Sequence, residues 1–188
     1  SEEKGVTSVE DAISGAKDII AEAISDEADY RSWIRKITMK KGKLISTAKD
    51  PEAESVYEMY YEFEEPLSKL AGHRILALNR GEKEKILTVK IEAPEEEILG
   101  YLEKQTIHGK NISTEQALKE AVEDSYKRLI GPAIEREIRS DLTEKAEDGA
   151  IEVFGKNLHQ LLMQPPITGQ VVLGWDPAFR TGSVSYTH

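Results

Sequence analysis

The sequence contains no cysteine, and that absence removes several kinds of chemistry at once. A disulfide framework, a thiolate nucleophile and a cysteine-based zinc site all require thiols. Metal binding would have to rest on carboxylates and four histidines. Because His108, His159 and His188 have no ligand partner at metal-site spacing, we expect no metal site and no cofactor.

A long apolar run is also missing. No stretch approaches the roughly 20 consecutive apolar residues that span a bilayer, and no charged-then-apolar leader opens the sequence. The missing cysteines suit a reducing compartment. Together these absences predict a cytoplasmic protein with no membrane partner.

Positive charge is scarce. The sequence has 25 Lys and Arg residues against 35 Asp and Glu residues, which gives a net charge of -10. Phosphate affinity comes from Lys and Arg that displace counterions, so any contact with nucleic acid must be local. The apolar fraction of 39% and the charged fraction of 32% indicate solvated helices rather than a disordered chain.

Helical spacing dominates the first forty residues. The motif Thr7-Ser8-Val9-Glu10 is a capping box, which predicts a helix from there to about Ser25. A second helix is predicted from near Asp26, ending before Gly42. Its apolar face consists of Tyr30, Trp33, Ile34 and Ile37.

The middle of the chain mixes both periodicities. Residues 44–47 suit a brief strand, and a turn at residues 48–51 leads into a predicted third helix from Glu52 onward. The stretch 73–92 suits a helix followed by a strand, although a hairpin is the alternative. The predicted third helix carries Val56, Met59, Tyr60 and Phe63.

The second half predicts a mainly α fold with one long, near-continuous helix over residues 114–164. Pro94 and the acids after it start a helix, and Ser113 with Gln116 forms a capping box. Gly131-Pro132 interrupts the helical stripe briefly. Residues 171–174 then predict a buried strand. The expected fold is therefore multihelical, with a small β element near residues 73–92.

Residues 174–182 read Gly-Trp-Asp-Pro-Ala-Phe-Arg-Thr-Gly, and with short motifs along nearly the whole chain before them they resemble the Tex family of transcription accessory factors. Residues 174–182 are similar to the opening strand of the family's RNase H-like (YqgF-type) domain. Upstream motifs resemble the family in the same order, and colinear motifs are far more specific than single ones. These motifs are residues 18–22, 65–66, 73–74, 80–82, 126–130, 135–139, 154–158 and 165–166.

The resemblance implies an internal fragment of a larger bacterial protein. It implies a Tex-like helical region with a helix-turn-helix core over residues 1–167, and the start of a truncated RNase H-like domain over residues 168–188. In the family, a helix-hairpin-helix region and an OB-fold RNA-binding module follow. The tail 183–188 departs from the expected apolar strand, and Trp175 and Ala178 replace smaller residues.

Asp176 stands where RNase H-like nucleases have their first metal-binding carboxylate. Such sites need several acids around two metal ions, and the companion acids would come from later strands. We therefore expect Asp176 to cap the turn before Pro177, and we expect the chain not to be an enzyme.

Nine basic side chains are the candidate contacts for nucleic acid. The first set lies around the end of the second helix, where it could hold phosphates or simply complement the helix dipole: Arg31, Arg35, Lys36, Lys40, Lys41 and Lys43. The second set, His73, Arg74 and Arg80, could contact phosphate or form a hydrogen-bonded packing corner.

The resemblance implies a helical scaffold within a nucleic-acid-binding transcription accessory protein, with RNA in particular as partner. Most of that binding would belong to modules outside this chain. One alternative is a protein-interaction scaffold that docks on the transcription machinery through an exposed apolar helix face. The other is part of an RNase H-like nuclease or resolvase.

Overall fold

The computed structural model describes residues 8–108, 112–165, 168–171, 173–176 and 184–187. The chain divides into two compact units, Ser1–Ala150 and Ile151–His188. Helices predominate, as the sequence predicts. The helices are α1 (Val9–Asp26), α2 (Ala28–Lys41), α3 (Gly72–Lys83), α4 (Glu95–Thr106), α5 (Ile112–Asp124) and α6 (Gly131–Leu162). The strands are β1 (Lys43–Ala48), β2 (Glu62–Pro66), β3 (Leu87–Glu92), β4 (Leu173–Asp176) and β5 (Val184–Thr187).

Helix α1 begins with a capping box one residue later than predicted. The Ser8 hydroxyl accepts a hydrogen bond from the Asp11 N–H at 3.1 Å, and the Asp11 carboxylate accepts one from the Ser8 N–H at 3.2 Å. Two orphan donors of the first turn are thereby satisfied. Thr7 of the predicted pair lies outside the described residues, and Ser8 with Asp11 has the same spacing one position on.

Strand β1 is the centre of a three-stranded antiparallel sheet in the order β2, β1, β3. Ser46 of β1 lies opposite Phe63 on one side and Val89 on the other. The predicted strand at residues 44–47 and the predicted helix-then-strand order over residues 73–92 are both confirmed. Strands β1 and β2 nevertheless lie before residue 73, outside the predicted β element.

The predicted helix from Glu52 onward is wrong. Residues 52–61 form turns with one short 3₁₀ helix, Glu58–Tyr60, and strand β2 follows directly. Tyr60 is buried and meets Phe63 edge to face at 5.3 Å, whereas Val56 and Met59 are exposed. The apolar residues that suggested one helical face therefore divide between the core and the solvent. Packing against the sheet decides which of them are buried.

The long helical run of the second half is confirmed, and its interruption is a π-helical turn. Helix α5 passes into the turn Ser125–Ile130 and then into α6, which continues through Gly149 and Gly155. The buried Ser125 hydroxyl donates to the Ala21 carbonyl of α1 at 2.7 Å. The predicted cap at Ser113 lies outside the described side chains.

The core of the first unit forms around α6. Its buried residues are Ile134, Ile138, Leu142 and Ala146, spaced four apart along one face. They belong to one apolar cluster with Ile34 of α2, Leu78 of α3 and Leu102 of α4. Three helices from different parts of the sequence are thus held by one row of α6 side chains.

The second unit contains the strand pair β4 and β5. These strands are antiparallel, with Gly174 opposite Tyr186. Leu173 and Trp175 are 66% and 72% exposed, so the prediction of a buried strand is wrong here. Residues 177–182 of the family-like stretch, and with them the predicted turn at Pro177, lie outside the described residues. Among the described residues, no helix has the length and apolar character that crossing a membrane requires.

Candidate functional site

The predicted basic set on α2 faces acids from neighbouring elements. Arg31 and Arg35 lie one helical turn apart, and so do their partners Glu137 and Asp141 on α6. The Arg31 guanidinium donates to Glu137 at 2.6 Å, and that of Arg35 donates to Asp141. All four side chains are partly exposed, so each pair stabilises only modestly, but the two pairs together favour one register of α2 on α6.

Two lysines at the end of the basic set are also paired. Lys41 contacts Glu97 of α4 at 2.6 Å, and Lys43 contacts Glu64 of β2 at 2.5 Å. The hydrogen bond to Glu64 raises the pKa of Lys43 above its ordinary value. Lys36 and Lys40 are exposed and form no ion pair within the described part of the chain. The basic set is therefore largely neutralised by acids from α6, α4 and β2.

The second predicted set does not converge on one point. Arg74 donates to Glu65 of β2 at 2.7 Å, and its guanidinium lies 5.7 Å from the centre of the Phe63 ring. His73 and Arg80 are exposed on α3. The packing-corner interpretation fits Arg74, whereas His73 and Arg80 remain open to solvent.

The most connected polar group is Arg139 of α6, which the sequence did not single out as a site residue. Its guanidinium donates to both carboxylate oxygens of Glu82, to the Asn79 side chain at 3.3 Å and to the Val89 carbonyl at 3.4 Å. Asn79 donates in turn to Thr143 at 2.8 Å. The hydrogen bonds from Arg139 lower the pKa of Glu82. One side chain thereby joins α3 and β3 to α6.

Glu135 and Arg139 together cover the outer edge of strand β3, one of the two edges of the sheet. Strand β3 pairs with β1 on one side only. On its other side, Glu135 accepts a hydrogen bond from the Ile91 N–H at 2.9 Å, and Arg139 donates to the Val89 carbonyl. An edge strand with unpaired backbone groups is a template for association, so these contacts protect it.

A cleft of about 630 Å³ lies between α2, β3, α4 and the start of α6. Its apolar surface includes Ile34, Ile45 and Ile134, and Thr38 contributes to its wall. The charged residues that line it are Lys90, Glu92, Glu95, Glu96, Lys127 and Glu135. Four carboxylates and two ammonium groups therefore give this cleft a negative balance.

Comparison with known proteins places this arrangement in a family. A family model described as Tex central region-like matches residues 1–154. The chain belongs to the Tex family. YdcI of Bacillus subtilis (strain 168) is 58% identical over 97% of this chain. The transcriptional accessory protein Tex of Neisseria gonorrhoeae is 27% identical over 91% of the chain.

A human protein also belongs among the relatives of this Tex-family chain. The S1 RNA-binding domain-containing protein 1 of Homo sapiens is 30% identical over 95% of the chain. The matched regions cover only 26%, 24% and 19% of the Bacillus, Neisseria and human proteins. The chain thus spans about a quarter or less of the length of these relatives.

The Tex-like motifs contained the missed site residues without revealing that they touch. Glu82 lies in the motif of residues 80–82, and Glu135 and Arg139 lie in the motif of residues 135–139. In the structure, these two motifs meet through the Glu82 to Arg139 ion pair. A pairing across 57 positions has no local signal in a single sequence.

Proposed function

We propose that this chain is the helical scaffold of a Tex-family transcription accessory protein, holding nucleic-acid-binding parts of a longer protein in a fixed arrangement. The observation that carries this proposal is the set of polar contacts converging on α6. Arg31 and Arg35 join α2 to it, and Glu82 joins α3 to it. Buried side chains of the same helix supply the apolar core.

The names of relatives support the same role. The Neisseria relative is named a transcriptional accessory protein, and the human relative is named for an S1 RNA-binding domain. We infer RNA as the nucleic acid of the longer protein, with most contacts made outside this chain. Within the predicted basic set on the end of α2, Lys36 and Lys40 are available for added phosphate contacts, because they are exposed and form no ion pair within the described residues.

The proposal gives this chain no catalytic step. Among the described residues, the carboxylates whose pKa is clearly shifted are Glu82, Glu120 and Asp124, and in each the pKa is lowered by a basic partner. A carboxylate that acts as a general acid or base near neutral pH needs a raised pKa instead. The shifted carboxylates thus behave as members of structural ion pairs.

A pair of neutralising substitutions separates the scaffold role from direct phosphate contact. Glu137→Gln with Asp141→Gln releases Arg31 and Arg35 from α6 and makes them more available to phosphate. The matched control, Glu144→Gln with Glu147→Gln, removes the same charge from exposed positions of the same helix. Affinity for a labelled single-stranded RNA is measured by fluorescence anisotropy. The protein used is a longer one that contains this chain and has the length of its relatives.

The scaffold role predicts that the released variant binds RNA roughly threefold more weakly than the control, with a lower unfolding midpoint. Direct contact by Arg31 and Arg35 predicts the opposite sign, with the released variant binding more tightly than the control. That second result would overturn the scaffold proposal.

The lysine contacts are tested in the chain of residues 1–188 by itself. Lys36→Gln with Lys40→Gln is compared with Lys104→Gln with Lys145→Gln, which removes two exposed lysines elsewhere. If Lys36 and Lys40 contact phosphate, their loss makes the plot of log affinity against log salt less steep by roughly 2. The control leaves the steepness unchanged. Equal slopes in both variants would remove these lysines from the proposal.

A further inference from the structure

The cleft between α2, β3, α4 and the start of α6 combines an apolar surface with a negative rim. Two of its carboxylates already have partners: Glu95 contacts Lys127 at 3.4 Å, and Glu135 accepts the Ile91 N–H. The side chains of Glu92 and Glu96 form no hydrogen bond or ion pair within the described part of the chain, although the charge of Glu92 helps to raise the pKa of Lys43. The uncommitted charge at this rim is therefore mostly carboxylate.

A buried hydroxyl in the wall of the cleft is also without a partner. Thr38 is 2% exposed, and its Oγ1 has no hydrogen-bond partner. A buried hydroxyl that makes no hydrogen bond costs stability, on the order of 1–3 kcal/mol, and native structures contain few such groups. Thr38 lies on α2 beside Ile34, and both residues line the cleft. Because this oxygen is enclosed, a cationic group that enters the cleft can donate to it only if the Thr38 side chain turns toward the cleft.

Charge complementarity decides which kind of partner fits this cleft. Phosphate groups of RNA would meet four carboxylates and only two lysines, one of which is already paired. A guanidinium or ammonium group would find carboxylates at the rim, and the aliphatic part of its side chain would find the accessible apolar surface of Ile45, Ile91 and Pro132. The surface suits a side chain that is apolar along its stem and positive at its tip.

We infer that this cleft is a docking site for a basic peptide segment of a protein partner, with an arginine or lysine side chain between α2 and the start of α4. Glu92 and Glu96 receive the positive groups, and Thr38 accepts a hydrogen bond. This surface is separate from the Arg31 and Arg35 contacts with α6, so its test can fail without affecting the scaffold proposal. It goes beyond that proposal by assigning a partner chemistry to one face.

The probe is a fluorescein-labelled peptide of alternating leucine and arginine, titrated with the chain of residues 1–188. Glu92→Gln with Glu96→Gln is expected to bind it roughly fivefold more weakly than the unmodified chain. The matched control, Glu54→Gln with Glu58→Gln, removes the same charge from exposed positions outside the cleft and should leave the affinity unchanged. Equal weakening in both variants would show general electrostatic attraction and overturn the docking site.

Thr38→Val supplies a readout that a purely structural residue would not give. The substitution removes an unpaired buried hydroxyl, so the unfolding midpoint should rise while the affinity for the peptide falls. A raised midpoint with unchanged affinity would exclude the hydroxyl from the site and overturn the assignment of Thr38. Tighter binding of labelled single-stranded RNA than of the peptide, with the same dependence on Glu92 and Glu96, would overturn the choice of partner.

Discussion

Arg139 donates hydrogen bonds to both carboxylate oxygens of Glu82, and this pair connects two motifs that lie 57 positions apart in the sequence. The Nη1 to Oε1 distance is 3.1 Å. The same guanidinium reaches Asn79 and the Val89 carbonyl, so it satisfies groups from both α3 and β3. Loss of the arginine would leave these groups without their donor, and a half-satisfied polar network is less stable than an apolar contact. The arginine is therefore hard to replace.

We predict that Arg139→Met lowers the free energy of unfolding by about 2 kcal/mol, measured by urea denaturation. The substitution keeps most of the side-chain volume but leaves Glu82 and the Val89 carbonyl without their donor. Arg136→Met is the control, because Arg136 is exposed on the same helix and forms no ion pair within the described residues. The control should change stability by less than about 0.5 kcal/mol. Equal losses in the free energy of unfolding would show that the hydrogen bonds of Arg139 add no more stability than an exposed arginine does.

The pKa of Glu82 predicts a specific dependence of stability on pH. Arg139 holds this pKa below the ordinary value of 4.5, so the ionised carboxylate stabilises the fold when the pH is above that value. The contribution is lost as the pH falls from about 4.5 through the lower folded-state pKa. Glu82→Gln should therefore be less stable than the unmodified chain at pH 7, with the difference shrinking toward pH 3. A difference that stays constant from pH 7 to pH 3 would contradict this linkage.

Two apolar positions of the same helix should respond very differently to truncation. Ile138→Ala should lower the free energy of unfolding by about 3 kcal/mol, because Ile138 is fully buried in the apolar cluster that also contains Ile34, Leu78 and Leu102. Phe154→Ala should change it by less than about 0.5 kcal/mol, because Phe154 is 66% exposed. Urea denaturation of both variants measures the contrast. Similar losses at the two positions would show that Phe154 is covered in solution.

The elements with a strong local signal were predictable from the sequence. Helix α2 has a continuous apolar face and ends at Gly42 as expected, and the run from α5 into α6 was recognised from its repeating apolar spacing. The π-helical turn Ser125–Ile130 was recognised only as an interruption near Gly131-Pro132. Its hydrogen-bonding pattern depends on the backbone of a whole turn, which the residue types there do not specify.

The helix predicted from Glu52 shows where a local pattern is misleading. Val56, Met59, Tyr60 and Phe63 have helical spacing, yet Tyr60 packs into the core and Phe63 lies in strand β2. The sheet partner of β2 is β1, which supplies hydrogen bonds that a local helix would otherwise make itself. Tertiary pairing therefore overrode the weaker helical periodicity.

The candidate site was harder to predict than the fold, because its contacts join distant positions. The sequence showed the basic residues of α2 and the start of β1 as a cluster, but it did not show their acidic partners, which lie on α6, α4 and β2. Charge density along the sequence could not show that Arg31 and Arg35 face carboxylates. Whether a basic cluster is free for phosphate depends on which side chains folding brings next to it.

The sequence by itself determined the helical class, the ends of α2, the long helix and the family resemblance, because capping residues, apolar periodicity and ordered motifs are local properties. Tertiary structure alone decided that Arg139 meets Glu82, that Glu135 covers the edge of β3, and that Thr38 lines an acidic cleft. These relationships join residues far apart in the chain. They arise when α6 packs against α2, α3 and β3, and nothing in the local sequence around each residue encodes its partner.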